Sequence, residues 1–221
     1  MSGCRQERFA IICRESSVDA PGRSEFRLEE DPSRQPNHTQ YIRNRQVADP
    51  NEVARAVLAA STWSVLALTC HIELFVQAHY VQSIAPREEL CPLFKDVFKF
   101  HWKDESRHVV LDELEWQAEH AKLSPAGRDQ AVNDLIALVA AVDAILQAQS
   151  ACDADYFIGN VSRSLSVDEA TQISACVLDA YRWQYIVSGV QHPHFGRLLA
   201  QMTTPAQMTR IQTALAPIIG H

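Results

Sequence analysis

The chain has 221 residues, 47 % of them hydrophobic, and a formal net charge of −7. That length suits one domain with a sizeable core, and no Lys/Arg cluster forms the basic stripe that nucleic acid would need. The six cysteines, at positions 4, 13, 70, 91, 152 and 176, show no CxxC spacing, so reduced thiols in a cytoplasmic protein are expected.

Residues 1–48 are polar and irregular, with Pro21, Pro32 and Pro36 among mixed charges. They read as a partly ordered N-terminal arm, with Arg8–Cys13 as a short strand or extended segment. Residues 1–12 lack an uninterrupted apolar run, so no signal peptide is expected. The bundle domain is placed at 49–221. Its first helix starts after Asp49, with Pro50 at the first helical position, and runs to about Ser83. The apolar stretch Val53–Val76 within it carries Arg55, Ser61, Thr62, Ser64, His71 and Glu73. It therefore reads as a buried core helix rather than a membrane span. A second helix begins near Pro92 and reaches about Lys122. Ser124-Pro125 opens a third, which Gly159-Asn160 stops. Ser166 caps a fourth, with Glu169 completing a capping box. It runs to Ser188-Gly189, where Gly189 and Pro193 break it, and Pro205 opens a short last helix. Seven glycines and no strand-like alternation point to an all-α bundle of four long helices.

The second helix carries the most informative segment, His101-Trp102-Lys103-Asp104-Glu105-Ser106-Arg107-His108. His101, Glu105 and His108 stand at i, i+4 and i+7, within roughly 60° of one another on a helix. Asp112 continues that face. Phe94, Val97 and Phe98 precede it at the same spacing, so the face reads as the apolar one. Polar groups on a buried stripe need partners or a metal. Glu73 adds a fourth group: it is the first formal charge after Arg55, in an otherwise apolar segment. If the two helices turn near Ala85–Cys91, Glu73 and Glu105 each lie about 16 residues from the turn. At about 1.5 Å per residue the two carboxylates come out level.

A metal site between two helices of a bundle normally draws ligands from the other two. Counting from the turn at Leu123–Pro125 brings Asp143 level with Glu105. A long crossover there would favour Asp153 instead. The fourth helix offers Asp179, whose i+3 neighbour is Arg182 and not histidine. His192, just past the helix break, is a weaker candidate. Arg182 could equally pair with Asp143 or Asp153. Cys70, Cys152 and the tryptophans Trp63, Trp116 and Trp183 read as packing residues.

These residues resemble the ferritin-like carboxylate-bridged di-iron proteins. Glu73, followed on the next helix by Glu105-x-x-His108, is similar to the first half of their metal site. The stretch HWKDESRHVVLDELE carries most of the likeness. Asp143 to Asp153 resembles a D-x-x-L-Q-x-Q-x-x-x-D segment of bacterial ferritin-like proteins, and Tyr181 to Pro193 a YRW…SG…HP segment. The resemblance spans about residues 50–200. It implies a ferritin-like four-helix bundle holding two irons that bind O₂ between them. Glu73, Glu105 and His108 match residue by residue. The second Glu-x-x-His does not: Asp179-Ala-Tyr-Arg182 stands where it is expected. A single iron, a manganese or an asymmetric centre with His101 as an added nitrogen is therefore an alternative.

Mixed imidazole and carboxylate donors without paired thiolates suit iron or manganese better than structural zinc. The expected function is an oxygenase or oxidase acting with O₂ on a small organic substrate. Phe98, Trp102, Tyr156 and Tyr185 are candidate walls of its cavity. Two other classes compete: an iron-handling ferroxidase, and a metal-free helical bundle that acts in binding or assembly. An oxygenase needs an apolar path to the cluster. The metal-free reading needs Glu73, Glu105 and His108 to pair with Arg107 or Arg182 instead of with each other. No nucleic-acid or membrane partner is expected, and a homodimer through the outer faces of the bundle is.

Overall fold

Five of the helices among the described residues open with proline at the first position, where its missing N–H is no loss. The computed structural model describes residues 48–220. The expected arm and the Arg8–Cys13 strand lie outside the described residues, apart from Ala48. The described residues are all helical, with no strand among them. The chain divides at Leu58/Ala59 into two units, and the first contributes α1 (Pro50–Ala59) to the description. Asp49 caps α1, its carboxylate accepting from the Asn51 amide at 2.9 Å.

The second unit begins with α2 (Thr62–His79). One continuous helix from Pro50 to Ser83 was expected, but the chain breaks at Ser61, which is extended (ψ 144°). The Ser61 amide donates across to Asp134 at 3.1 Å instead of continuing the helix. The turn Tyr80–Ile84 then widens to an i→i+5 bond, Ala85 N–H to Tyr80 O at 2.8 Å. The next helices are α3 (Pro92–Lys122) and α4 (Pro125–Asn160). Next comes α5 (Val167–Arg182), extended through a second wide turn at Trp183–Val187 to Val190. The last two are α6 (Pro193–Met202) and α7 (Pro205–Ile219). Ser124 caps α4, and Ser166 with Glu169 forms the expected box on α5. Thr204 with Gln207 makes a second box on α7. Pro193 was expected only to end the preceding helix. It also begins α6, because proline at N1 is as good a start as it is a stop.

Helices α2 and α3 run antiparallel. Trp63 Nε1 donates to His120 Nδ1 at 3.2 Å at one end, and Gln77 Nε2 donates to the Trp102 carbonyl at 3.0 Å toward the other. The core lies around Trp63 and Trp116, whose rings meet edge-on at 5.2 Å, and Phe195 of α6 stacks on Trp116. Leu66, Leu74, Val132, Leu135 and Ile186 fill the space around them. Helix α4 is long and apolar enough to cross a membrane by length and composition, and it packs Ala131, Val132 and Leu135 into this core. Trp183 is half exposed, unlike the packing residue it was expected to be. Cys70, Cys91, Cys152 and Cys176 are all free thiols.

Candidate metal centre

Helix α2 contributes Glu73, and α3 contributes Glu105 and His108, from the sides of the two helices that face each other. One donor atom from each lies within 4.8 Å of the other two. His108 Nδ1 is 2.5 Å from Glu105 Oε2 and 3.9 Å from Glu73 Oε1. Donors around one first-row ion at about 2.1 Å stand about 3–3.5 Å apart, so small side-chain rotations bring this set to a single ion. Among the described residues no other such group of three or more His, Cys, Asp or Glu donors forms.

The two carboxyl groups are in hydrogen-bonding contact, an arrangement that needs a proton or a cation between them. Burial works to raise the Glu105 pKa. Its contact with Glu73, the His108 imidazole and the nearby His101 outweigh that burial and hold it below the usual carboxylate range. Cys70, one turn before Glu73, is fully buried. Desolvation first, then the carboxylates of Asp112, Glu113 and Glu73, push its thiol up to about 12. Without a metal it stays protonated at neutral pH, and its sulfur is not among the three converging donors.

The surroundings fix the two helices against each other. The Ser106 hydroxyl donates to the Trp102 carbonyl at 2.7 Å and lies 3.0 Å from Gln77 Oε1. Tyr80 stacks on Trp102 with ring centroids 5.3 Å apart. This latch lies one turn from Glu73 and Glu105 on each helix. No sequence signal marked Gln77 as the partner of Trp102 and Ser106, because the pairing joins two helices.

Four of the seven sequence candidates lie outside the group. His101 is half exposed, with Nδ1 3.2 Å from Glu105 Oε1, so it touches a donor without joining the three. Asp143 is held by Arg182 through two bonds of 2.7 and 2.9 Å, and Gln147 Nε2 donates a third at 2.6 Å. Asp153 accepts from the Tyr181 hydroxyl at 2.7 Å and from Gln149 at 3.1 Å. His192 caps α6, its Nδ1 accepting from the His194 amide. Phe94 and Val97, expected on the buried face with the cluster, are exposed. The face that turns inward runs through Phe98, Glu105, Asp112 and Trp116; Val97 is rotated roughly 80° from Glu105, whereas Phe94 shares the inward direction but stands exposed in the first turn of α3.

A cavity of about 460 Å³ lies elsewhere, lined by α2, α4, α6, α7 and the wide turn of α5. Its walls are aliphatic, with His71 and Tyr185 among the few polar residues, and none of Glu73, Glu105 or His108 lines it. Of the aromatic walls expected for a substrate cavity, Tyr185 alone belongs to it. His71 Nε2 donates to the Ile186 carbonyl at 2.8 Å, and Nδ1 is buried without a hydrogen-bond partner. Burial pulls the His71 pKa down to about 4, so the ring is neutral at pH 7.

No protein-family model, curated protein or solved structure matches the chain. The likeness to ferritin-like proteins therefore rests on the residues themselves.

Proposed function

We propose that the chain is a non-haem iron protein of the ferritin-like kind, an oxidoreductase that uses O₂ on a small organic molecule at Glu73, Glu105 and His108. The observation that carries the reading is the convergence of those three donors from two helices, paired with each other. Arg182, one of the two partners the metal-free reading allowed beside Arg107, is bonded to Asp143 instead.

Two carboxylates and one imidazole, with no cysteine in the donor group among the described residues, suit iron or manganese. The described residues offer one such donor set, so the expected load is one ion per chain. Iron held there would supply electrons to O₂. The chain's own part is to hold the geometry: His101 steadies Glu105, and the Gln77–Ser106–Trp102 latch keeps α2 and α3 in register. His108 is 29 % exposed, and that open side is where a small molecule would approach.

A second reading, metal handling without an organic substrate, has one observation in its favour. The apolar cavity that an oxygenase would use is lined by none of the three donors. Elemental analysis of protein purified from iron-replete cells, beside Glu105→Ala, tests the metal. Iron bound in the wild type and lost in the variant is expected. No metal in either protein would retire both readings. Iron that oxidises with O₂ but leaves every organic substrate untouched would favour handling.

A further inference from the structure

Helix α3 spans 31 residues, yet only Asp112 and Trp116 of them are buried. Opposite its inner face lies a second apolar stripe: Leu93, Val97, Phe100, Leu111 and Leu114, each 42–72 % exposed. These positions alternate in steps of four and three once Asp104 and Arg107, both exposed, are included between Phe100 and Leu111. That spacing is the repeat by which one helix meets another along a straight seam. The stripe ends at the exposed Ala118 and is about 37 Å long at about 1.5 Å per residue.

The stripe is its own complement when reversed. Turned end for end about a point between Asp104 and Arg107, Phe100 falls opposite Leu111 and Val97 opposite Leu114. Leu93 meets Ala118. The two charged positions then fall opposite each other, Asp104 against the partner's Arg107 and Arg107 against the partner's Asp104. Every layer pairs apolar with apolar or acid with base, and the seam's one acidic residue meets its one basic residue. We infer that α3 docks on α3 of a second copy of this chain, antiparallel about a two-fold axis. A slip by one heptad would set Asp104 and Arg107 against apolar side chains instead of each other, a cost that holds this register.

The axis passes at the height of Glu105. On one flank of the seam His101 then falls beside the partner's His108, and both Glu73–Glu105–His108 clusters lie on that flank at one level. Pairing would cover the exposed side of each cluster. That consequence rests on the metal reading, whereas the pairing itself does not.

Sedimentation equilibrium of the full chain at tens of micromolar tests the pairing without any metal. A mass of twice 24.8 kDa is expected. Asp104→Arg and Arg107→Asp, taken singly, set like charges together at both central layers, and each should weaken the dimer about tenfold or more. An equal mixture of the two single variants, or both changes in one chain, restores the opposite pairs and should restore the dimer. Circular dichroism checks that each variant is folded. A wild-type mass of 24.8 kDa overturns the proposal, and so does a dimer indifferent to both single changes or a mixture that stays monomeric. A monomer that loses thermal stability on Phe100→Asp would assign the stripe to another segment of the same chain, and would equally overturn it.

Discussion

Replacing Arg182 by Met tests whether Asp143 is a structural partner or an unused ligand. The Asp143 carboxylate is 9 % exposed and the Arg182 side chain 19 %, so the solvent screens their two-bond contact little. Removing the guanidinium strands a buried carboxylate with only the Gln147 amide left. Breaking a buried pair from one side costs about 3–5 kcal/mol. For a chain of this size that is a fall in Tm of roughly 6–20 °C at neutral pH. The pH dependence adds a second readout. Burial works to raise the Asp143 pKa, but Arg182 outweighs it and holds the group below the ordinary aspartate value. In the wild type this contribution is present above the unfolded value of about 3.8 and is lost as pH falls through the lower folded one. Without Arg182 burial is opposed only by the Gln147 amide, so the variant's deficit should shrink as acid protonates the stranded carboxyl. Differential scanning calorimetry from pH 7 down to pH 4.5 measures both effects. Metal content should be unchanged in Asp143→Asn. A stability loss below about 1 kcal/mol in Arg182→Met, together with metal lost from Asp143→Asn, would show that Asp143 is a ligand and that the ion pair is incidental.

Saturating Fe(II) without oxygen, at a hundred times its Kd, should stabilise the wild type by about 2.7 kcal/mol, or roughly 5–10 °C in Tm. Glu73→Gln should lose that gain while its metal-free Tm holds or rises, because one of two touching carboxyl groups gives up its charge; thermal shift assays read both. Gly189→Ala should destabilise by about 2–4 kcal/mol on denaturant titration, since a Cβ there would stand 2.4 Å from His71 Nε2 and break the ring's bond to Ile186. His71 is neutral in the fold with a pKa of about 4, against an unfolded value near 6.5. The unfolded chain therefore binds the extra proton, and stability should fall by roughly 3 kcal/mol as pH drops from about 6.5 to about 4. His71→Gln should flatten that stretch of the stability–pH profile, and an unchanged slope would count against the buried neutral ring.

Local chemistry was the legible part of this sequence. The caps at Ser124 and Ser166 and the prolines at 92, 125 and 205 fixed where helices begin, because they act within one turn. Glu73 and Glu105 could be levelled by counting from the turn, because helical rise per residue is constant. The same counting brought Asp143 level with Glu105, yet height alone does not decide which partner a carboxylate meets. Arg182, 39 residues away, takes it. The break at Ser61 was hidden because its cause, the carboxylate of Asp134, lies on another helix. Helix α3 misled for a different reason. It has apolar residues on two faces, so Val97 looked continuous with the cluster although it belongs to the outer stripe, and Phe94, which does point the cluster's way, is exposed because it stands in the first turn of the helix.

Helix α2 explains why the cluster and the cavity are separate. His71 and Glu73 are two residues apart, which is about 200° around a helix. One therefore faces the aliphatic cavity while the other faces α3. Each face tolerates its polar group by a different device. His71 is discharged by burial and held by a carbonyl of the wide turn in α5. The bond that closes this turn runs from Ser188 N–H to Trp183 O, five residues apart, so carbonyls there fall out of the regular i→i−4 ladder and Ile186 O is available to the ring. Glu73 is met instead by a second carboxyl and an imidazole, a set that a cation completes. Filling the cavity and emptying the cluster should therefore act independently. A bulky substitution such as Ala200→Phe, on the cavity wall, should leave metal affinity within about twofold, as additivity predicts for sites without shared partners. If isothermal titration shows metal affinity falling with it by tenfold or more, α2 transmits between its two faces. The cavity would then belong to the metal's chemistry, and the oxygenase reading would gain the substrate compartment it otherwise lacks.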